Sequence, residues 1–323
     1  SGGIANRLIM ARILITGASG YIGSSAAHHL SSVGHEVTAS SRTGADRLAA
    51  DLPGVETATL DVLSIPDSFQ GSWDVILHAA TANDILSRDF RAGVELSSVG
   101  TKNILSLARR TGVGHVIFLS TLQVYGMELL GTIREDSPAS PRNDYGLNHV
   151  FGEQVCEMEC FHGDLRTTVL RPANIYGCPV SRTVDRWSLV PTCFVREALS
   201  SGKITLRSSG LQRRDFVSLR QVAEACDAVI RSSGTGCSVR NIATGETHSI
   251  LDAARWTVAA FEAAGLPAPE LEILGDEPRE ANHFSVESSV TPSPIGGSVE
   301  AEMSSEISKL IDFFREVGNV SPQ

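Results

Sequence analysis

Residues 16–23 read Thr-Gly-Ala-Ser-Gly-Tyr-Ile-Gly, directly after a short β-branched run at 11–16 and directly before a stretch of helical periodicity. That placement gives each glycine a task. Gly17 allows a tight turn, Gly20 lets backbone N–H groups approach a pyrophosphate, and Gly23 permits close packing of helix on sheet. The helix N-terminus adds partial positive charge, and Ser19, Tyr21 and Ile22 complete the same loop. The chemistry is dinucleotide binding. At the end of the following strand an acid accepts the ribose 2′-hydroxyl of NAD, whereas a small polar residue with an arginine accommodates a 2′-phosphate. Ser41-Arg42 stand there, so the pattern predicts NADP over NAD.

The six cysteines all lie from residue 156 onward and lack CxxC spacing, which predicts neither a disulfide framework nor a structural zinc site. Cys156, Cys160 and His162 are close in sequence, but cysteines at i and i+4 on a helix read as small buried hydrophobes, and no metal is expected. The 37 acidic against 27 basic residues give a net charge of −10. No broad positive field exists to attract nucleic acid or anionic lipid, so an anionic ligand must be held by a few local cations. Lysines are scarce: only Lys102, Lys203 and Lys309 occur. No run approaches the roughly 20 apolar residues of a membrane span, and a cytoplasmic protein is expected.

These groups need elements to hold them. Apolar runs at 11–16, 35–40, 75–80, 116–120 and 167–171 read as buried parallel strands, and helical patterns at 22–30, 94–110 and 145–160 alternate with them. Such alternation predicts an α/β fold, a doubly wound parallel sheet with helices on both faces. At about 150 residues per domain, 323 residues suggest a large unit and a smaller lobe. We read 1–10 as an arm, 11–172 as the dinucleotide-binding domain with a return from about 211–242, and 173–210 and 243–323 as a substrate-binding lobe. Residues 285–305 carry no clear period, and 306–317 regain a helical one.

Several further motifs follow in order. They are Asp61-Val62, His78-Ala79-Ala80, Gly100-Thr101-Lys102-Asn103, the run 118–126 (Phe-Leu-Ser-Thr-Leu-Gln-Val-Tyr-Gly), Tyr145 onward, the run 170–177 (Leu-Arg-Pro-Ala-Asn-Ile-Tyr-Gly) and Arg214-Asp215-Phe216-Val217. With the glycine loop, this series resembles the extended short-chain dehydrogenase/reductase family, the Rossmann-fold epimerases, dehydratases and reductases of nucleotide-sugars, over residues 10–279. The resemblance implies that Asp61 and Val62 lie beside the adenine and that the strand ending in Ala79 and Ala80 runs under the cofactor. It also implies a catalytic Tyr145 with Thr121, and a Tyr-x-x-x-Lys helix on which this chain has His149 where the family has lysine. His149 can hydrogen-bond the nicotinamide ribose, yet at an ordinary pKa of about 6.5 it supports a phenolate less than lysine does.

By the same resemblance Asn174, Arg214 and Arg279 contact the sugar and its diphosphate, with a surface ion pair to Asp215 as the plain alternative for Arg214. Trp187 suits either a stacked base or a core position. Leu122 and Gln123 follow Thr121 where dehydratases carry an acid pair, and neither exchanges a proton at neutral pH, so dehydration and decarboxylation are disfavoured. The expected activity is NADP(H)-dependent oxidoreduction or epimerisation of a nucleotide-sugar at a carbinol, C4, with Tyr145 as proton relay. The alternatives are a weakly or non-catalytic NADP-binding sensor or assembly protein, and reduction of a non-sugar carbonyl. A homodimer built on the helices 94–110 and 145–160 is also implied, with Leu105, Phe151 and Val155 as contacts.

Overall fold

The computed structural model describes residues 10–163, 165–182, 184, 186–275 and 283–317. Seven strands form one parallel sheet: β1 (Arg12–Thr16), β2 (Glu36–Ser41), β3 (Glu56–Thr59), β4 (Val75–His78), β5 (His115–Leu119), β6 (Arg166–Pro172) and β7 (Cys237–Ile242), in the order β7-β6-β5-β4-β1-β2-β3. β1 pairs with β2 on one side and β4 on the other, so Thr16 lies level with both Ser40 and His78. Strand order reverses at this point, and in open α/β sheets the crevice beyond such a reversal is where ligands bind.

Both faces of the sheet are covered, which is why its central strands are apolar throughout rather than alternating. Ile13 and Ile15 face the helices α1 (Tyr21–Ser32) and, much later in the chain, 219–231, through Ala26, Ala27, Leu30, Val222 and Val229. Leu14, Ile76 and Phe118 face the opposite layer, with Ile104, Leu105 and Cys156. After the short helix α2 (Ala45–Asp51), that layer is built by α3 (Thr101–Thr111) and α4 (Asp144–Phe161). Beyond β6 come α5 (Thr192–Ser201), α6 (Leu219–Arg231), α7 (Ile250–Ala263) and α8 (Val299–Val317). α5, α7 and α8 enclose a separate core around Phe194, Phe261, Met303 and Leu310.

Several expectations are corrected. Helical structure begins at Phe90 rather than 94 and passes through a π-helical turn, Glu95–Gly100, before α3. Helix α8 begins at Val299 rather than 306, and Phe284–Val286 pairs as a strand with Gly131–Ile133. Leu105 is fully buried in the core and is not available as a dimer contact, whereas Phe151 and Val155 are half-buried. Trp187 packs on Phe313 and Phe314, the core position. Cys156 and Cys160 are buried, and no His, Cys, Asp and Glu cluster among the described residues suits a metal. No described helix is long and apolar enough to cross a membrane.

Candidate active site

The turn from β1 into α1 is made by glycine where nothing larger fits. Gly17 has φ +69°, and a Cβ on it would sit 2.7 Å from the Ala80 amide nitrogen; one on Gly23 would sit 2.3 Å from the Gly17 carbonyl oxygen. Gly20 caps α1 with no side-chain hydrogen bond, so the N–H groups of the first turn are left for an anion, and the residues present fit a dinucleotide pyrophosphate. The Tyr21 hydroxyl donates to the Gly177 carbonyl at 2.6 Å, tying this turn to the segment after β6. Ser41 is buried at the end of β2, its hydroxyl donating to the Thr43 carbonyl at 2.7 Å, and Arg42 beside it is exposed. The Leu60 amide donates to the Ser41 carbonyl at 2.9 Å, which brings Asp61 and Val62 alongside. Asp61 accepts the Leu63 amide at 2.9 Å, and Asn103 Nδ2 donates to the Val62 carbonyl at 2.9 Å.

A cleft of about 530 Å³ runs from this turn across the C-terminal ends of the strands. Gly17, Ser19, Gly20, Tyr21, Ile22, Gly23 and Ala79 line one end; Thr121 and Tyr145 the middle; Asn174, Arg186 and Arg214 the far wall. The structure thus brings together residues from seven separate stretches of sequence. His149, Ser41, Arg42, Asp61, Val62 and Ala80 lie outside this lining, and Arg279 lies outside the described residues.

Tyr145 sits in the first turn of α4, which Asn143 caps by accepting the Gly146 amide at 2.7 Å. Its pKa is raised by burial, opposed by a hydrogen bond with Thr121 and by the charge of Arg186. Thr121 is held from beneath. The neighbouring Ser120 hydroxyl donates to Glu153 at 2.5 Å, and Arg171 donates to the same carboxylate at 2.9 and 2.6 Å while lying 4.7 Å over the Tyr125 ring. One helical turn beyond Tyr145, the His149 ring stands edge-on to it at 4.7 Å. Its Nε2 donates to the Ala82 carbonyl at 3.1 Å, its Nδ1 has no partner, and burial lowers its pKa to about 4. His149 is neutral at pH 7.

No lysine compensates. Lys102, Lys203 and Lys309 are engaged with Glu159, Glu270 and Glu306. Two arginines line the cleft instead, Arg186 and Arg214, and Arg186 is paired with Asp84 at 2.5 Å across 102 positions of sequence. No motif marks Arg186, and the sequence reading missed it. Arg214 has no carboxylate partner among the described residues; its Nη1 donates to the Arg213 carbonyl at 2.9 Å. Successive side chains on a strand point to opposite faces, so Asp215 turns the other way and accepts Thr244 and Gly245 amides at 2.9 and 2.8 Å. Asn174, on the adjacent strand, donates to the Asp215 carbonyl at 3.1 Å. A second cavity of about 320 Å³, lined by Leu122, Met127 and Phe284 among others, opens off the same floor and has no counterpart in the sequence reading.

The chain is 29% identical over 270 residues to sterol demethylase protein B of Methylococcus capsulatus, covering 80% of the chain and 76% of that protein. It is 27% identical over 275 residues to a dTDP-4-dehydro-6-deoxy-D-allose reductase of a Streptomyces species, covering 80% and 83%. Among solved structures, MoeE5 in complex with UDP-glucose and NAD superposes with a TM-score of 0.76 at 21% identity, covering 95% of this chain and 100% of that one. A UDP-galactose 4-epimerase superposes with a TM-score of 0.74 at 23% identity, with the same coverage. Both share the fold. The family model for the NAD dependent epimerase/dehydratase family matches residues 13–243, and the chain belongs to that family.

Proposed function

We propose that the protein is an NADP(H)-dependent oxidoreductase or epimerase of a nucleotide-activated sugar, acting at the C4 carbinol. The observation that carries the reading is the single cleft joining the glycine turn, the Tyr145–Thr121 pair and a wall bearing Asn174 and Arg214, which has no carboxylate partner among the described residues. The N–H groups of residues 19–23 would hold the pyrophosphate, Asp61 and Val62 the adenine end, and Ala79 and Ala80 the floor. When bound, the nicotinamide supplies or accepts a hydride. Tyr145 moves the hydroxyl proton and Thr121 holds the same oxygen. Because His149 is neutral and burial raises the phenol, Tyr145 keeps its proton at pH 7 and acts best as an acid, which favours the reductive direction. Leu122 and Gln123 offer no acid or base for water elimination. Relatives that include a UDP-glucuronic acid decarboxylase make this subtype a matter for experiment.

Arg214 tests the substrate class. A bidentate guanidinium suits a diphosphate, and hydrogen bonds to charged groups contribute about 1.5–3 kcal/mol. Arg214→Ala is expected to raise KM for a nucleoside diphosphate sugar by roughly 10–150-fold while leaving the NADPH Kd within about twofold. An unchanged KM would remove the diphosphate from the proposal.

Cofactor choice rests on Ser41-Arg42. Titration is expected to show NADPH binding more tightly than NADH, with Arg42→Ala shrinking the difference; equal affinities in the unaltered protein contradict it. The same reading makes the protein a homodimer across its helical layer, where Val99, Met158 and Phe161 leave apolar surface exposed. Sedimentation at micromolar concentration should give the dimer mass, and a monomer contradicts it.

A further inference from the structure

We propose that Arg186, anchored on Asp84 in the cleft, is the positive charge that serves Tyr145 in place of the lysine that position 149 lacks. The inference rests on the reading of Tyr145 as the proton carrier and goes on to name the residue that sets its electrostatic surroundings. Arg186 acts through Tyr145 and moves no proton itself.

The geometry starts from α4. His149, one turn beyond Tyr145, donates to the Ala82 carbonyl at 3.1 Å, and Asn148 Nδ2 beside it donates to the Ser87 hydroxyl at 3.1 Å. These two bonds hold the segment after β4 against the helix that carries Tyr145. Asp84 lies between the two anchor points, two residues past Ala82 and three before Ser87, and its Oδ1 accepts from Arg186 Nη1 at 2.5 Å. A guanidinium from the segment between β6 and α5 is thereby fixed to the segment that α4 grips. Thr121, Tyr145, Asp84 and Arg186 all line the one cleft.

Partial burial makes the charge count. The Arg186 side chain is 20% exposed, so water and salt screen it less than a surface arginine. An arginine suits the place, because a guanidinium stays charged where a buried ammonium readily loses its proton. The groups about Tyr145 come from several elements: Thr121 after β5, His149 and exposed Asp144 on α4, Asp84 after β4, and Arg186 before α5, with Arg214 further along the lining. Thr121 carries no charge and His149 is neutral. Asp84 and Arg186 are the charges that bear on the phenol, with opposite signs, and Arg186 contributes more. Its charge also reaches the Tyr21 phenol at the glycine turn.

The test reads the phenol and the reaction separately. The chain holds four tyrosines, so NMR of protein labelled with carbon-13 at tyrosine Cζ can follow each, and the signal lost in Tyr145→Phe assigns Tyr145. Arg186→Gln is expected to move the Tyr145 titration to higher pH by about 0.5–1, a modest effect for a neighbouring charge because Asp84 offsets part of it. Asp84→Asn removes the opposing charge and should move the titration to lower pH. In oxidation of UDP- and dTDP-linked glucose and galactose by NADP⁺ at pH 8, kcat should fall by about 3–10-fold in Arg186→Gln, the same shift read as a smaller phenolate fraction. Arg186→Lys, which keeps the charge, should recover most of that rate. An unmoved titration in Arg186→Gln overturns the inference, and so does movement in one direction for both Arg186→Gln and Asp84→Asn, which would make the pair a strut rather than a source of charge. Failure of Arg186→Lys to recover the rate overturns it too. If none of the sugars is oxidised while the titrations move as stated, the nucleotide-sugar reading falls and the charge assignment stands.

Discussion

Tyr145→Phe is expected to lower kcat by about 10²–10⁴-fold, the loss typical of a positioned general acid or base. The substitution keeps the ring that His149 meets edge-on and removes only the hydroxyl bonded to Thr121, so the fold and cofactor affinity should survive. The pH dependence carries a sign. Reduction uses the protonated phenol, whose pKa burial raises above its ordinary 10, so the reductive rate should hold through neutral pH and fall only in strong alkali. Oxidation needs the phenolate and should keep rising across the same range. His149, lowered to about 4, should contribute no inflection between pH 5 and 9. Rates for both directions from pH 5 to 10, in the unaltered protein and in Tyr145→Phe, check this. Full activity in the variant would remove Tyr145 from the mechanism and assign the proton transfer to another group.

Glu153→Ala should be the most destabilising single change near the site. Glu153 and Arg171 are each about 7% exposed, and removing one partner leaves the other charge buried and unpaired, which costs about 3–5 kcal/mol. Urea unfolding should read this directly. Glu153→Leu combined with Arg171→Met, which removes both charges and keeps volume, should recover a large part of the loss. Because Glu153 also accepts from Ser120, Thr121 next to it, which the proposed mechanism uses, should lose position, and kcat should fall in the single variant even where it is fully folded. A stability loss below about 1 kcal/mol would show that the pair is not held as described.

How much of this the sequence revealed depended on burial. The central strands were legible because parallel strands covered on both faces read as continuous apolar runs. β3, a partly exposed edge strand of sequence Glu-Thr-Ala-Thr, gave no such run, and α2 is only seven residues long. The start of α8 was hidden because the Ser, Pro and Gly of 285–305 mask its period and Glu302 stands at a core position, where Arg220 and Ser218 satisfy it from 82 and 84 positions away. At the site, the glycine turn and the Tyr145–His149 spacing are local and could be read. The Arg186–Asp84 pair, the unengaged side of Arg214 and the second cavity beside Met127 depend on contacts between distant segments, and local spacing carries no trace of them.

The most direct test follows deuterium. NADPH deuterated at the transferring position of its nicotinamide ring is incubated with a nucleoside diphosphate 4-keto-hexose, and the sugar product is analysed by mass spectrometry and NMR. The account predicts deuterium at sugar C4, formed by the unaltered protein and almost absent with Tyr145→Phe. No label in any nucleotide sugar, or label arriving equally fast with Tyr145→Phe, would contradict it.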